Sequence, residues 1–315
     1  MSVIAVVGSL NMDLVISAPR YPLLGETLMG HSFGTTGGGK GSNQALACAR
    51  LGAESHMIGR VGNDDFGARL RETLTTENVN CDHVQVSENV GTGVAVVTVV
   101  GNGDNTIVLA PGANALLDEV DIKRATPLFK IADAALFQLE VPLPAVEAGL
   151  TLARKTGCHT VLTPAPAQAL PLTLWKAIDY VVLNETELAF YAGYIHKNEP
   201  SGEAGDKDRT VAEAAGVLLS RGTKGVVVTR GARGGLVVTK REFFPYAPFK
   251  VKAVDSTGAG DSFCAALIVA LSEGMPLEQA VRFASAAGAL ACTRFGAHPS
   301  LPWRREVVAL QEANA

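Results

Sequence analysis

Apolar positions along the chain follow two rhythms. Short β-branched runs bounded by turn residues alternate with longer segments whose apolar residues recur at helical spacing, the pattern of βαβ units around a parallel sheet. The strand runs are residues 3–7, 56–59, 135–138, 160–162, 180–183, 226–229 and 236–239. Most are apolar on both faces, which predicts helices on both sides of the sheet. Helical stretches follow Lys40, Asp64, Asp118, Pro142, Glu185, Thr210, Gly260 and Pro276, several opened by a capping residue or an early proline. The fold class predicted is α/β.

Two regions break the rhythm. Residues 91–111 hold two β-rich runs around Gly101-Asn102-Gly103-Asp104, a hairpin signal, and residues 12–33 form a second strand-like stretch with no helix. Together they predict a small antiparallel sheet standing off the main one as a lid. The expected division is a core of residues 1–10, 46–90 and 112–315 and a lid of residues 11–45 and 91–111. The polar, turn-rich stretch 196–209 reads as a solvated loop, and there is no internal repeat.

Composition narrows the class. With 315 residues, 47% of them hydrophobic and 18% charged, the chain can bury a large core and is not a disordered or collagen-like sequence. Its 27 basic and 31 acidic residues leave a net charge of -4 with no block of like charge, which argues against a nucleic-acid partner. No apolar run is long enough for a membrane span, and the apolar start lacks a basic leader. Cys48, Cys81, Cys158, Cys264 and Cys292 are widely spaced without a CxxC pair, which fits a reducing, cytoplasmic compartment.

Chemistry concentrates in a few stretches. The glycine-rich run through Gly39, Lys40 and Asn43 precedes a helix, where backbone N–H groups hold anions or polar ligands; it also reads as a flexible turn. It approaches a phosphate loop but has Gly41 where Ser or Thr would ligate magnesium. In 255–263, Gly258, Ala259 and Gly260 allow close backbone approach at a helix start, and Asp261 is either a general base or a complement to the macrodipole. Asn184 and Glu187 form an ordinary capping box or put a carboxylate where a sheet binds ligands. Asn11 and Asp13 follow the first strand and either bond ligand hydroxyls or close an Asx turn. Lys40, Glu140 and the loop after Thr229 are open in the same way. No GxSxG, HExxH or dinucleotide fingerprint occurs, and the six histidines lack metal-ligand spacing.

The segments GSLNMD (8–13), GGKGSNQA (38–45), NETE (184–187), DSTGAGDSF (255–263) and RFGAHPSLPW (294–303), in that order, resemble the ribokinase family of ATP-dependent sugar kinases across nearly the whole chain. The resemblance implies a doubly wound, mostly parallel sheet with a β lid, a sugar site beneath the lid, ATP in the neighbouring groove, and a homodimer through the lids. It implies that Asp261 is the base acting on the 5-hydroxyl of D-ribose, with Gly258, Ala259 and Gly260 as an anion hole. Asn11, Asp13, Gly39, Lys40, Asn43, Glu140 and Asp255 match sugar-holding positions. Asn184, Thr229, Gly231, Gly234, Gly260 and Ser285 match nucleotide contacts, and Glu187 the residue that organises Mg2+ through water. Asp255, Thr257, Ala291, Arg294, Gly296 and Ser300 resemble a K+ loop. Ser285 stands where the family often has a histidine, and Thr163 where an asparagine usually precedes the proline. Alternatives under the same chemistry are another furanose, such as 2-deoxyribose or fructose, or a nucleoside; a non-catalytic sugar sensor is the remaining one.

Overall fold

The computed structural model describes residues 1–101, 104–193 and 204–314. In chain order the strands are β1 (Val3–Val7), β2 (Asn11–Ala18), β3 (Ser32–Gly38), β4 (Glu54–Gly62), β5 (Val79–Ser87), β6 (Gly93–Val100), β7 (Asn105–Ala110), β8 (Ala134–Phe137), β9 (His159–Leu162), β10 (Tyr180–Asn184), β11 (Gly225–Thr229), β12 (Gly235–Thr239) and β13 (Phe243–Tyr246). The helices are α1 (Lys40–Arg50), α2 (Asp65–Thr76), α3 (Glu119–Arg124), α4 (Thr126–Phe129), α5 (Leu143–Thr156), α6 (Glu185–Ala192), α7 (Ala204–Arg221), α8 (Ala259–Ser272), α9 (Leu277–Ala291) and α10 (Arg304–Glu312).

The large sheet runs β13-β12-β11-β10-β9-β8-β1-β4-β5, parallel from β11 to β5 and antiparallel at β12 and β13. Because alternate residues of a strand face opposite sides, Ile4 and Val6 enter one core cluster and Ala5 and Val7 the other. The first cluster includes apolar residues of α1, α8 and α9, and the second those of α5 and α7. This is the doubly wound arrangement. From β1 the chain builds outward through β4 and β5, then returns to β1's other side at β8. The carboxyl ends of β1 and β8 therefore flank the point where strand order reverses, where such sheets open a crevice.

The small sheet runs β3-β2-β6-β7. Its outer pairs are antiparallel, while β2 and β6 run parallel at the seam between two hairpins, where a long connection leaves strand direction free. The hairpin expected around Gly101 closes with Val99 opposite Asn105; its residues 102 and 103 lie outside the described residues.

Three readings need correction. Residues 40–45, assigned above to the lid, belong to α1: Gly41 through Cys48 are buried as that helix packs on α8 and the large sheet. Within the 196–209 stretch, 196–203 lie outside the described residues, but α7 begins at Ala204 rather than after Thr210. Within it Arg209 pairs with Glu213 one turn on at 3.2 Å. Strands β5 and β13 were unread because they are sheet edges: β5 interleaves polar residues, and β13 carries Pro245.

Helix α8 fixes the site's position because ten consecutive residues from Asp261 are buried. Leu267→Ala in that run is expected to destabilise the fold by about 2–5 kcal/mol, read from denaturant unfolding. An unchanged midpoint would contradict this packing.

Candidate functional site

A cleft of about 420 Å³ opens at the carboxyl ends of β1, β8, β10 and β11, roofed by the small sheet through Ala95, Val97, Asn105, Ile107 and Leu109. Asn11, Asp13, Gly39, Lys40, Asn43 and Glu140 line it, as do Thr257, Gly258, Gly260 and Asp261, and Asn184, Glu187 and Thr229. The β1–β8 gap and the ends of β10 and β11 thus share one space.

At the β1–β8 end, Glu140 organises three segments. Its Oε2 accepts Ser9 Oγ–H at 2.5 Å, Lys40 N–H at 3.2 Å and Asn11 Nδ2–H at 3.4 Å. Asn114, just past β7, donates to Asn11 Oδ1 at 2.7 Å and to Leu10 O at 3.0 Å, and accepts Leu10 N–H at 2.9 Å. That fixes which end of the Asn11 amide faces Glu140. The Asp13 carboxylate lies over Gly38, where a Cβ would sit 2.2 Å from Oδ2 and force that carboxylate to shift.

Asp261 lies in the first turn of α8, 6% exposed. Gly258 caps the helix at φ 76°, a left-handed conformation that glycine adopts without steric cost. The Ala259 N–H donates back to Ser256 O at 3.2 Å, while a Cβ built on Gly260 would meet nothing within 4 Å. Gly260 therefore presents bare backbone to open space at a helix N-terminus, a geometry suited to anionic oxygen. Asp261 Oδ2 accepts from Asn43 Nδ2 at 2.8 Å and Oδ1 from Gln44 Nε2 at 3.1 Å.

Electrostatics bind these groups together. Burial raises the Asp261 carboxyl above its ordinary range and Glu140 adds to the rise, against the pull of Lys40, Asn43 and Gln44. Burial by itself would lower the Lys40 ammonium, yet Asp261, Glu140 and Glu187 outweigh it and hold Lys40 charged. Burial raises Glu187 as well, offset in part by the Asn184 N–H and Lys40. The Asn184–Glu187 capping box is present, with the Glu187 N–H donating to Asn184 Oδ1 at 2.8 Å.

Asp255, Gly231, Gly234, Ser285, Ala291, Arg294, Gly296 and Ser300 lie outside the cleft lining. Asp255 Oδ1 accepts from Thr257 N and Oγ1 at 2.9 and 2.7 Å, and Oδ2 from Gly296 N at 2.9 Å. Ser300 Oγ reaches Thr257 O at 3.4 Å, so these residues form one loop cluster behind Gly258. Ala291 ends α9 nearby in sequence, and the Arg294 guanidinium is committed to Glu306. Gly231 and Gly234 sit in the turn after β11 at φ 56° and 77°. Ser285, on α9, points to Ala247 O at 3.4 Å. Thr163 lines the cleft, its Oγ1 3.0 Å from Cys264 Sγ. Among the described residues, no three His, Cys, Asp or Glu side chains cluster to hold a metal on their own, and no helix is long and apolar enough to cross a membrane.

Ser9, Gln44, Asn114 and Gln138 were absent from the candidates. Ser9 and Gln44 stand inside the segments GSLNMD and GGKGSNQA and Gln138 ends a predicted strand, none with a sign of its polar role; Asn114 lies in no such segment.

The family model described as pfkB family carbohydrate kinase matches residues 1–304. A ribokinase of Haemophilus influenzae is 37% identical over 309 residues, covering 98% of each chain. A ribokinase of Schizosaccharomyces pombe is 38% identical over 312 residues, covering 96% of each. Among solved structures, Arabidopsis thaliana ribokinase complexed with ribose and ATP superposes with a TM-score of 0.88 at 31% identity, covering 98% of each chain.

Burial first, then Glu140 and Asp261, push the Asp13 carboxyl up to about 7. It is therefore neutral below that pH and ionised above it. A ligand donating hydroxyls to Asp13 favours the ionised form, so the affinity of a polyhydroxylated ligand, measured by calorimetry, is expected to strengthen as pH rises through about 7. Asp13→Asn removes the inflection. A flat profile in the unsubstituted protein would contradict this.

Proposed function

Because the chain belongs to the pfkB family of carbohydrate kinases, we propose that it transfers the γ-phosphate of ATP to the 5-hydroxyl of D-ribose, giving D-ribose 5-phosphate and ADP. The observation that carries this reading is one cleft holding a buried carboxylate, Asp261, beside the bare Gly260 backbone at a helix N-terminus. A polar cradle from Asn11 to Glu140 shares that cleft. A binding protein needs the cradle but has no use for a base next to an anion site.

Asp261 accepts the proton of the 5-hydroxyl while that oxygen bonds to the γ-phosphorus. The bond from phosphorus to the bridging oxygen of the β-phosphate breaks, the electron pair leaves with ADP, and the proton passes from Asp261 to solvent. The first-turn amides of α8 and its dipole neutralise charge on the transferring phosphoryl group, the dominant requirement of this chemistry. Lys40, held charged among three carboxylates, adds a cation there. Asn11, Asp13, Gly39, Asn43, Glu140 and Asp255 take the sugar side, and Asn184, Thr229, Gly231, Gly234 and Ser285 the nucleotide side.

The Glu187 carboxylate lines the cleft and would hold Mg2+ through water. Bound there, the ion would screen charge between the phosphates. The oxygen donors that Asp255, Thr257 and Ser300 bring together beside Gly296 support the reading that this loop, with Ala291 and Arg294, would hold K+. Val96, Val108, Phe33 and Ile16 expose apolar surface on the small sheet, which supports a homodimer through the lids. Five free cysteines support a reducing, cytoplasmic setting.

Asp261→Asn is expected to lower kcat by about 10²–10⁴-fold while the unfolding transition is retained. ADP release with Mg-ATP and K+ is then compared across D-ribose, 2-deoxyribose, fructose, arabinose and nucleosides. Full activity in the variant would refute the base; preference for another acceptor would reassign the pocket.

A further inference from the structure

The carboxylate at position 261 is held by more than its neighbour Asn43. Gln44, the next residue of α1, donates from Nε2 to Asp261 Oδ1 at 3.1 Å and to Thr163 Oγ1 at 3.4 Å. Its own Oε1 accepts from Gln138 Nε2 at 2.6 Å. Gln138 directly follows β8, two residues before Glu140. Both glutamines are fully buried, and neither lines the cleft.

The chain of bonds has one direction. A side-chain amide has a single acceptor, so with Gln44 Oε1 occupied by Gln138 its NH2 group must face Asp261 and Thr163. Turned over, Gln44 would set an oxygen against the Asp261 carboxylate. Gln138 is wedged in turn: a Cβ on Gly8 would lie 1.9 Å from Gln138 Oε1, so the glycine at the end of β1 provides the room its amide occupies. That Oε1 is buried without a hydrogen-bond partner, which keeps Gln138's donating end as its sole polar tie among the described contacts.

We propose that Gln44, held by Gln138, is a positioning residue for Asp261, fixing the plane of the carboxylate and favouring its ionised form without touching either substrate. The proposal rests on the reading of Asp261 as the base. With Oδ2 on Asn43 and Oδ1 on Gln44, the carboxylate cannot turn about its last bond without losing both donors. Its remaining lone pairs are left for the incoming hydroxyl. The charged groups facing Asp261 are Lys40 from α1, which favours ionisation, and Glu140 after β8 and Asp13 from β2, which oppose it. All three remain in the variants below, so a change in titration reports the glutamine.

The test is the pH dependence of kcat and of the D-ribose KM in Gln44→Met, Gln138→Met and the double variant, with thermal unfolding measured alongside. Gln44→Met is expected to lower kcat by about tenfold or more, with the sugar KM held within about twofold. The acid limb of the kcat profile should move to higher pH, because a lost donor makes the carboxylate easier to protonate. Gln138→Met should act in the same direction but less, and the double variant should be no worse than Gln44→Met, since the two act in series. A folded Gln44→Met with unchanged kcat and acid limb, a KM that rises with kcat intact, or additive effects would overturn the proposal. If Gln44→Met does not fold, the Gln138→Met limb decides. An active Asp261→Asn would instead remove the base itself, whereas an inactive Asp261→Asn with an unaltered Gln44→Met would remove only the relay.

Discussion

The structure turns on the burial of negative charge. Asp13, Glu140 and Asp261 approach one another in a space walled by protein, and a buried carboxylate is costly unless something answers it. The answers come from every side: the Lys40 ammonium, the amides of Asn43 and Gln44, the Ser9 hydroxyl and the Lys40 backbone N–H. These donors come from α1 and the turn after β1, and the fold can be understood as the scaffold that brings them to the carboxylates of β2, α8 and the segment after β8.

That point is set by topology. Winding the sheet outward from β1 in both directions leaves a gap above β1 and β8, and α8, packed into the core along almost its whole length, aims its N-terminus into the cleft. Close packing reaches the backbone there: Gly8, Gly38 and Gly41 each stand where a Cβ would collide with neighbouring atoms, from Gln138 Oε1 at 1.9 Å to the Gly8 carbonyl carbon at 2.6 Å. The glycines that look like flexible punctuation in the sequence are, at these positions, the consequence of crowding around a polar site.

Much of this was legible in the chain. The central strands read as strands because burial on both faces makes them continuous apolar runs, and β5 and β13 escaped because edges need not be apolar. Asp261, Lys40, Asn43 and Glu187 lay in motifs that also served as helix starts, so their chemistry was visible but not separable from capping. Gln44, Gln138 and Asn114 were not legible. A side-chain amide carries no charge and no spacing rule, and its partners lie 94 residues away for Gln138 and Gln44, 217 for Gln44 and Asp261, and 103 for Asn114 and Asn11.

In the proposed reaction the cleft moves a phosphoryl group onto one particular sugar oxygen. Phosphorus and carbon NMR of the products formed from D-ribose and Mg-ATP tests it most directly. The expected product is D-ribose 5-phosphate in mole-for-mole yield with ADP. Inorganic phosphate with unaltered ribose, phosphate on another hydroxyl, or no turnover of ribose at all would contradict it.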